Sequence, residues 1–180
     1  MAHDIDVAAY IYQQQGWMDS WRLQKLTYYS QAWSLAWTGR PLFDERLQAW
    51  DDGPVAPDLF RANKYDRVGT TIRGADVAHL READQRIVDA VIAFYGDMGK
   101  SDIINLTHAE PPWKVAYDRG RNTEIAKPSM TSYYSKAAAL ELPGPARPEL
   151  PEPTVTAVQF MEHLAIQRQI WAGTLELLAR

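Results

Sequence analysis

The chain has 180 residues, 46% of them apolar, with seven Trp, nine Tyr and a net charge of −4. That length suits one domain, or one domain with an appendage, and can bury a sizeable core. The absence of cysteine excludes a disulfide framework and any thiolate-held zinc or iron–sulfur centre.

The acidic balance and the lack of a basic run leave no footprint for gripping phosphates, so nucleic acid is not an expected partner. The N-terminal residues begin acidic and carry no apolar core of a secretory signal. No stretch approaches the ~18–20 apolar residues that span a bilayer. The expected setting is cytoplasmic, with no membrane contact.

In chain order, Asp4 or Asp6 is expected to cap a first helix carrying Val7, Tyr10 and Ile11 and stopping at Gly16. Asp19 or Ser20 opens a second, with Leu23, Leu26, Ser30, Trp33 and Trp37 at helical spacing and Gly39-Arg40-Pro41 as its stop. Residues 42–57 hold too much Pro, Gly and Asp for helix. Residues 47–50 read as one short strand and 68–72 as a second, paired as a hairpin-like patch.

Pro57 suits the first position of a helix running to Tyr65. Asp84 is expected to cap the next, with Ile87, Val91, Phe94, Tyr95 and Met98 on one side and Gly96 or Gly99 closing it. Ser101 caps a short helix to His108, Pro111-Pro112 opens another to Arg119, and Lys127-Pro128-Ser129 starts one to Ala139. Residues 143–153 carry five prolines in eleven positions, an extended connector. Thr154 or Thr156 then caps a last amphipathic helix carrying Val158, Met161, Leu164, Ile170, Trp171, Leu175 and Leu178. The expected fold is mainly α, a compact multi-helix bundle with a small two- or three-stranded β element.

Catalytic and cofactor signatures are sparse. His3, His79, His108 and His163 stand in no metal-ligand register, so no metal is expected. His108 with Glu110 has the composition of a base and an orienting carboxylate, or simply ends a helix with local hydrogen bonds. Asp51-Asp52 is too small a ligand set for a cation on its own and reads more readily as a solvated turn with a helix cap. No Gly-rich phosphate loop and no nucleophile elbow occurs, and no cofactor is expected.

Two segments resist a purely architectural reading. One is Ala49-Trp50-Asp51-Asp52-Gly53-Pro54-Val55-Ala56-Pro57, a rigid non-helical stretch with a large aromatic. The other is Leu106-Thr107-His108-Ala109-Glu110-Pro111-Pro112-Trp113, where two helices abut through a Pro-Pro kink. Trp50 and Trp113 serve either as core pegs or as anchors of a pre-set binding patch, since a fixed loop loses little entropy on docking.

These residues carry a family resemblance. Leu23-Gln24-Lys25-Leu26-Thr27-Tyr28-Tyr29-Ser30-Gln31-Ala32-Trp33 with Gly39-Arg40-Pro41-Leu42-Phe43, then Ala49-Trp50 with residues 53–57, then Leu106-Thr107-His108 with Glu110-Pro111-Pro112-Trp113, resemble the Panacea domain. That family includes SocA-like antitoxins and phage-associated GepA-like proteins. The resemblance implies a helical antitoxin of a bacterial or phage toxin–antitoxin pair that binds its cognate toxin. In the SocA-like branch it implies a proteolytic adaptor handing the toxin to ClpX and the ClpXP protease.

The expected division is a Panacea-like helical domain at 1–142, a Pro-rich connector at 143–153 and a terminal helix at 154–180 packing on the domain. The last two are read from composition and periodicity, because the family motifs do not reach that tail. The expected role is non-enzymatic, with a toxin protein as partner. The alternatives are an enzyme using His108 and Glu110 to reverse a toxin-made modification, and a DNA-binding autorepressor, against which the charge counts. Candidate partner-binding residues are Trp50, Asp51, Asp52, Pro54 and Val55 in the first segment and His108, Glu110 and Trp113 in the second. Tyr65 joins them from the intervening helix, and Gln167, Arg168 and Glu176 from the rim of the last.

Overall fold

The computed structural model describes residues 2–63 and 69–151, all but the last of them in a compact unit Met1–Leu150. Among them are seven α-helices: α1 Asp4–Gln15, α2 Ser20–Thr38, α3 Pro57–Asn63, α4 Glu82–Tyr95, α5 Lys100–Ala109, α6 Pro111–Asp118 and α7 Lys127–Ala139. Three short strands, β1 Gln48–Trp50, β2 Gly53–Val55 and β3 Thr123–Glu124, form one antiparallel sheet in the order β2-β1-β3. The mainly α fold with a small β element is the architecture the sequence leads one to expect.

The helix α2 is the hub. Asp19 caps it through a carboxylate that accepts from the Arg22 backbone N–H at 3.1 Å, and Gly39 closes it. Most of its residues are buried, because α1, α3, α4, α5 and α7 all pack around it. Its rings knit the bundle: Tyr29 stacks on Tyr95 of α4 at 4.0 Å, and the Trp33 indole N–H donates to the Tyr95 hydroxyl at 3.1 Å. A helix contacted on all sides keeps no solvent face, so its buried polar residues Gln24, Lys25, Thr27, Ser30, Gln31 and Ser34 each hydrogen-bond to a backbone carbonyl.

The structure corrects the expected caps. His3, not Asp4 or Asp6, occupies the cap of α1, and Asp6 at the third helical position accepts from the His3 backbone N–H at 2.8 Å. Asp84 likewise lies inside α4 and accepts from the Arg81 backbone N–H at 3.1 Å. Gly99, not Ser101, precedes α5. An acidic residue three positions into a helix accepts from the backbone N–H of the cap residue itself, whereas a cap side chain accepts from an N–H inside the first turn. Sequence composition alone does not tell the two positions apart.

The expected second strand is also displaced. Residues 69–72 form no strand, although Ile72 is buried, and Val68 lies outside the described residues. The partner of β1 is instead Gly53–Val55, with Trp50 opposite Gly53 and Gln48 opposite Val55. Its central residue, Pro54, lacks an N–H, and β2 can carry it because it is the edge of the sheet.

Residues 143–151 take neither helix nor strand. Gly144 lies against the Trp33 ring, where an added Cβ would come within 2.8 Å of it. Arg147 donates to the Trp37 carbonyl at 3.1 Å, and Arg86 of α4 donates to the Glu149 carbonyl at 2.9 Å. The expected terminal helix at 154–180, with Gln167, Arg168 and Glu176, lies outside the described residues, as does Tyr65.

Candidate functional site

The turn Asp51-Asp52 between β1 and β2 is held from three directions. Asp51 accepts from the Tyr117 hydroxyl at 2.8 Å and pairs with Arg121 at 3.0 Å. Asp52 accepts from the indole N–H of Trp21, at the start of α2, at 3.0 Å. Beneath the turn, Gly53 has φ +100, and an added Cβ would sit 2.6 Å from Lys25 Cε and 2.8 Å from Thr107 Oγ1. Lys25 is buried and donates to the Pro54 carbonyl at 3.1 Å; desolvation lowers its ammonium to about 8. A hairpin tip tied to α2, α5, α6 and β3's leading loop is pre-set rather than adaptable.

The second segment supports the first. Trp113 is 7% exposed, and its indole N–H donates to the Trp50 carbonyl at 3.1 Å. Its ring lies between His108 at 4.0 Å and Tyr117 at 4.6 Å, both stacked. Burial lowers the His108 pKa, aided by the charge of Lys25, and a hydrogen bond to the Asp51 backbone opposes it. His108 Nε2 is buried without a partner.

Glu110 points elsewhere. Its carboxylate accepts from the Tyr134 hydroxyl at 2.7 Å and the Tyr29 hydroxyl at 3.1 Å, in the middle of the bundle. Burial pushes its pKa up to about 7, against the lowering effect of those two hydroxyls. His108 and Glu110 therefore share no hydrogen bond, and the base-and-carboxylate pair that their sequence spacing permits is not assembled. No group of three or more His, Asp and Glu among the described residues is placed to hold a metal ion.

One side of the hairpin opens into a cavity of about 860 Å³. Trp17, Trp21, Trp50 and Phe60 supply its rings, Gln24, Lys25 and Asn63 its buried polar groups, and Asp19, Asp51, Asp52 and Arg121 its remaining charges. Trp50 meets Phe60 edge-on at 5.0 Å and is half-buried, so it lines the cavity as well as filling the hairpin. Val55 lines the cavity too, whereas Pro54, buried beside it, does not.

Sequence reasoning singled out Trp50, Asp51, Asp52 and Val55 and missed Trp17, Trp21, Lys25, Phe60 and Asn63. The available signal was a pair of tryptophans four residues apart astride the Asp19 cap. They are 49% and 38% exposed, a heavy exposure for two such large rings.

No helix among the described residues is long and apolar enough to cross a membrane. A family model described as antitoxin SocA-like, Panacea domain, matches residues 23–114. No curated protein and no solved structure matches the chain.

Proposed function

The chain belongs to the SocA-like Panacea-domain antitoxin family, and from that premise we propose that it neutralises a cognate toxin protein by binding it, without catalysis. The contact surface is the hairpin face: Trp50, Asp51, Asp52 and Val55, with Trp17 and Trp21 beside them. His108, Trp113 and Tyr117 form the stack that supports this face from below.

The observation that carries this reading is the clamped turn. Asp51 and Asp52 are exposed, yet hydrogen bonds and an ion pair to Trp21, Tyr117 and Arg121 fix them in place. Such a surface surrenders little conformational entropy on docking, and large rings beside charged groups are the usual centres of binding energy. The separation of His108 from Glu110 supports the non-catalytic reading.

Delivery of the toxin to the ClpXP protease belongs to the same proposal as its second step. An adaptor holds two partners at once, so it requires a second surface, for which residues 154–180 are the candidate segment.

The test is co-expression with the toxin encoded beside this gene. Wild type protects growth, and a folded Asp52→Lys variant loses protection. Protection by Asp52→Lys at wild-type level would remove the hairpin face from the reading. Toxin half-life measured with and without ClpX separates stoichiometric neutralisation from delivery: a ClpX-independent half-life rules out the adaptor step alone.

A further inference from the structure

Family membership does not say what enters the cavity beside the hairpin. Three observations there constrain the chemistry of the occupant. The walls are aromatic, with Trp17, Trp21, Trp50 and Phe60 contributing rings. Aromatic faces attract cations, and the chain already uses one of them so: Lys100 Nζ lies 3.3 Å from the centroid of the Trp21 ring.

The charges around the cavity favour a cation as well. Both lining cations are engaged, Lys25 with the Pro54 carbonyl and Arg121 with Asp51. Asp52 accepts from the neutral indole of Trp21, and Asp19 from the backbone N–H of Arg22. Neither carboxylate forms an ion pair among the described residues, although both attract the Lys25 ammonium, and the lining sets three carboxylates against two cations, a balance that favours a cationic ligand over an anionic one.

Asn63 supplies the third observation. It is 4% exposed and lines the cavity; its side-chain N–H donates to the Tyr12 hydroxyl at 3.0 Å, while its Oδ1 has no partner. A buried acceptor without a donor is costly, and an apolar occupant would leave it so.

We propose that this cavity receives one arginine side chain from a loop of the partner protein, its guanidinium set among the tryptophan rings and donating to Asn63 Oδ1 and the Asp52 carboxylate. Arginine fits better than lysine because a planar guanidinium stacks on rings and presents five N–H donors in a fork, enough for acceptors on two different elements. The cavity volume of about 860 Å³ also leaves room for the backbone on either side of that residue. This inference rests on the reading that the chain binds a partner protein. Trp17, Asp19 and Trp21 precede the family match at residues 23–114, whereas Lys25, Trp50, Asp52 and Asn63 fall within it.

The experiment titrates the ¹⁵N-labelled full chain with Ac-Gly-Arg-Gly-NH₂, its citrulline isostere and its glutamate counterpart. The arginine peptide saturably shifts the indole N–H signals of Trp17, Trp21 and Trp50. It binds about tenfold more tightly than citrulline, which keeps the planar shape but loses the charge. Asp52→Asn removes most of that preference while leaving distant amide signals in place. Equal binding of arginine and citrulline, a preference for glutamate, or shifts that never saturate would each overturn the proposal. The titration contains no toxin, and the growth assay requires no peptide. Protection without peptide binding defeats this inference alone; peptide binding without protection defeats the antitoxin reading alone.

Discussion

The indole N–H of Trp113 donates to the backbone carbonyl of Trp50 at 3.1 Å, tying the first turn of α6 to the last residue of β1. Two tryptophans 63 positions apart thus form one joint, and the helix–kink–helix segment is the footing of the hairpin. Trp113→Ala removes a buried ring from between His108 and Tyr117, with an expected cost of about 3–5 kcal/mol. Trp113→Phe keeps a ring and loses the N–H, with an expected cost of about 1–2 kcal/mol. Urea unfolding of both variants checks the pair; a Trp113→Ala protein with the wild-type midpoint would show that the joint carries no stability.

Gly53 is constrained twice, by its φ of +100 and by Lys25 and Thr107 packed against the place a Cβ would occupy. Gly53→Ala is expected to destabilise by about 2–4 kcal/mol, combining left-handed backbone strain with displacement of the Lys25 stem. Thermal unfolding reads the loss directly. A Gly53→Ala variant as stable as wild type would mean that the turn relaxes freely, contrary to a pre-set hairpin.

Glu110 supplies a pH dependence. Its carboxyl titrates near 7 in the folded protein, because burial favours the neutral form, and near 4.5 when exposed. Below about 4.5 both states hold the proton and its stabilising effect is fully present. As pH rises toward 7 the unfolded state releases that proton first, so stability falls through this window. Relative to Glu110→Gln, which retains an acceptor for Tyr29 and Tyr134, wild type should lose on the order of 2 kcal/mol between pH 5 and pH 8. Asp4, pushed up to about 6 by burial, adds a slope of the same sign that is common to both proteins and cancels in the comparison. A flat difference between the two stability curves would place Glu110 in a solvated site.

Much of this fold was legible in the sequence, for reasons that can be located. The helix α2 announces itself by an Asp cap, a long run of large apolar residues and a Gly-Arg-Pro stop; α6 and α7 announce themselves by prolines that suit a first turn. The strand β2 was hidden because Gly53-Pro54-Val55 reads as a breaker, and only its place at the sheet edge makes a proline acceptable. The strand β3 has two residues, too few for any alternation to register. The candidate site was half visible: Trp50, Asp51 and Asp52 stand out as polar and aromatic residues in a rigid loop. Lys25 and Asn63 did not stand out. A lysine and an asparagine within helices read as solvent-facing, and only the hairpin packed over α2 and the neighbouring α1 reveal them as buried.

The proline-rich residues after 142 pack on the bundle through Gly144 against Trp33, Arg147 to Trp37 and Arg86 to Glu149. A chain ending at Leu142 should therefore melt several degrees below one ending at Pro151, in keeping with a loss of about 1–2 kcal/mol. Calorimetry on the two truncated chains decides it. Identical melting temperatures would make residues 143–151 a passive tether.

Antitoxin action by binding through the hairpin face is tested most directly by the affinity of the purified chain for its purified toxin, measured by calorimetry across three folded variants. Asp52→Lys places a like charge where a cation is expected and should weaken binding about 100-fold or more. Leu140→Ser alters an exposed apolar residue just beyond α7, outside the cavity, and should bind within about threefold of wild type, a change below 1 kcal/mol. His108→Ala should lose affinity only as far as it loses folded protein. Wild-type affinity in a folded Asp52→Lys variant would contradict the account, as would unchanged binding with abolished protection in a folded His108→Ala variant, which would mark catalysis.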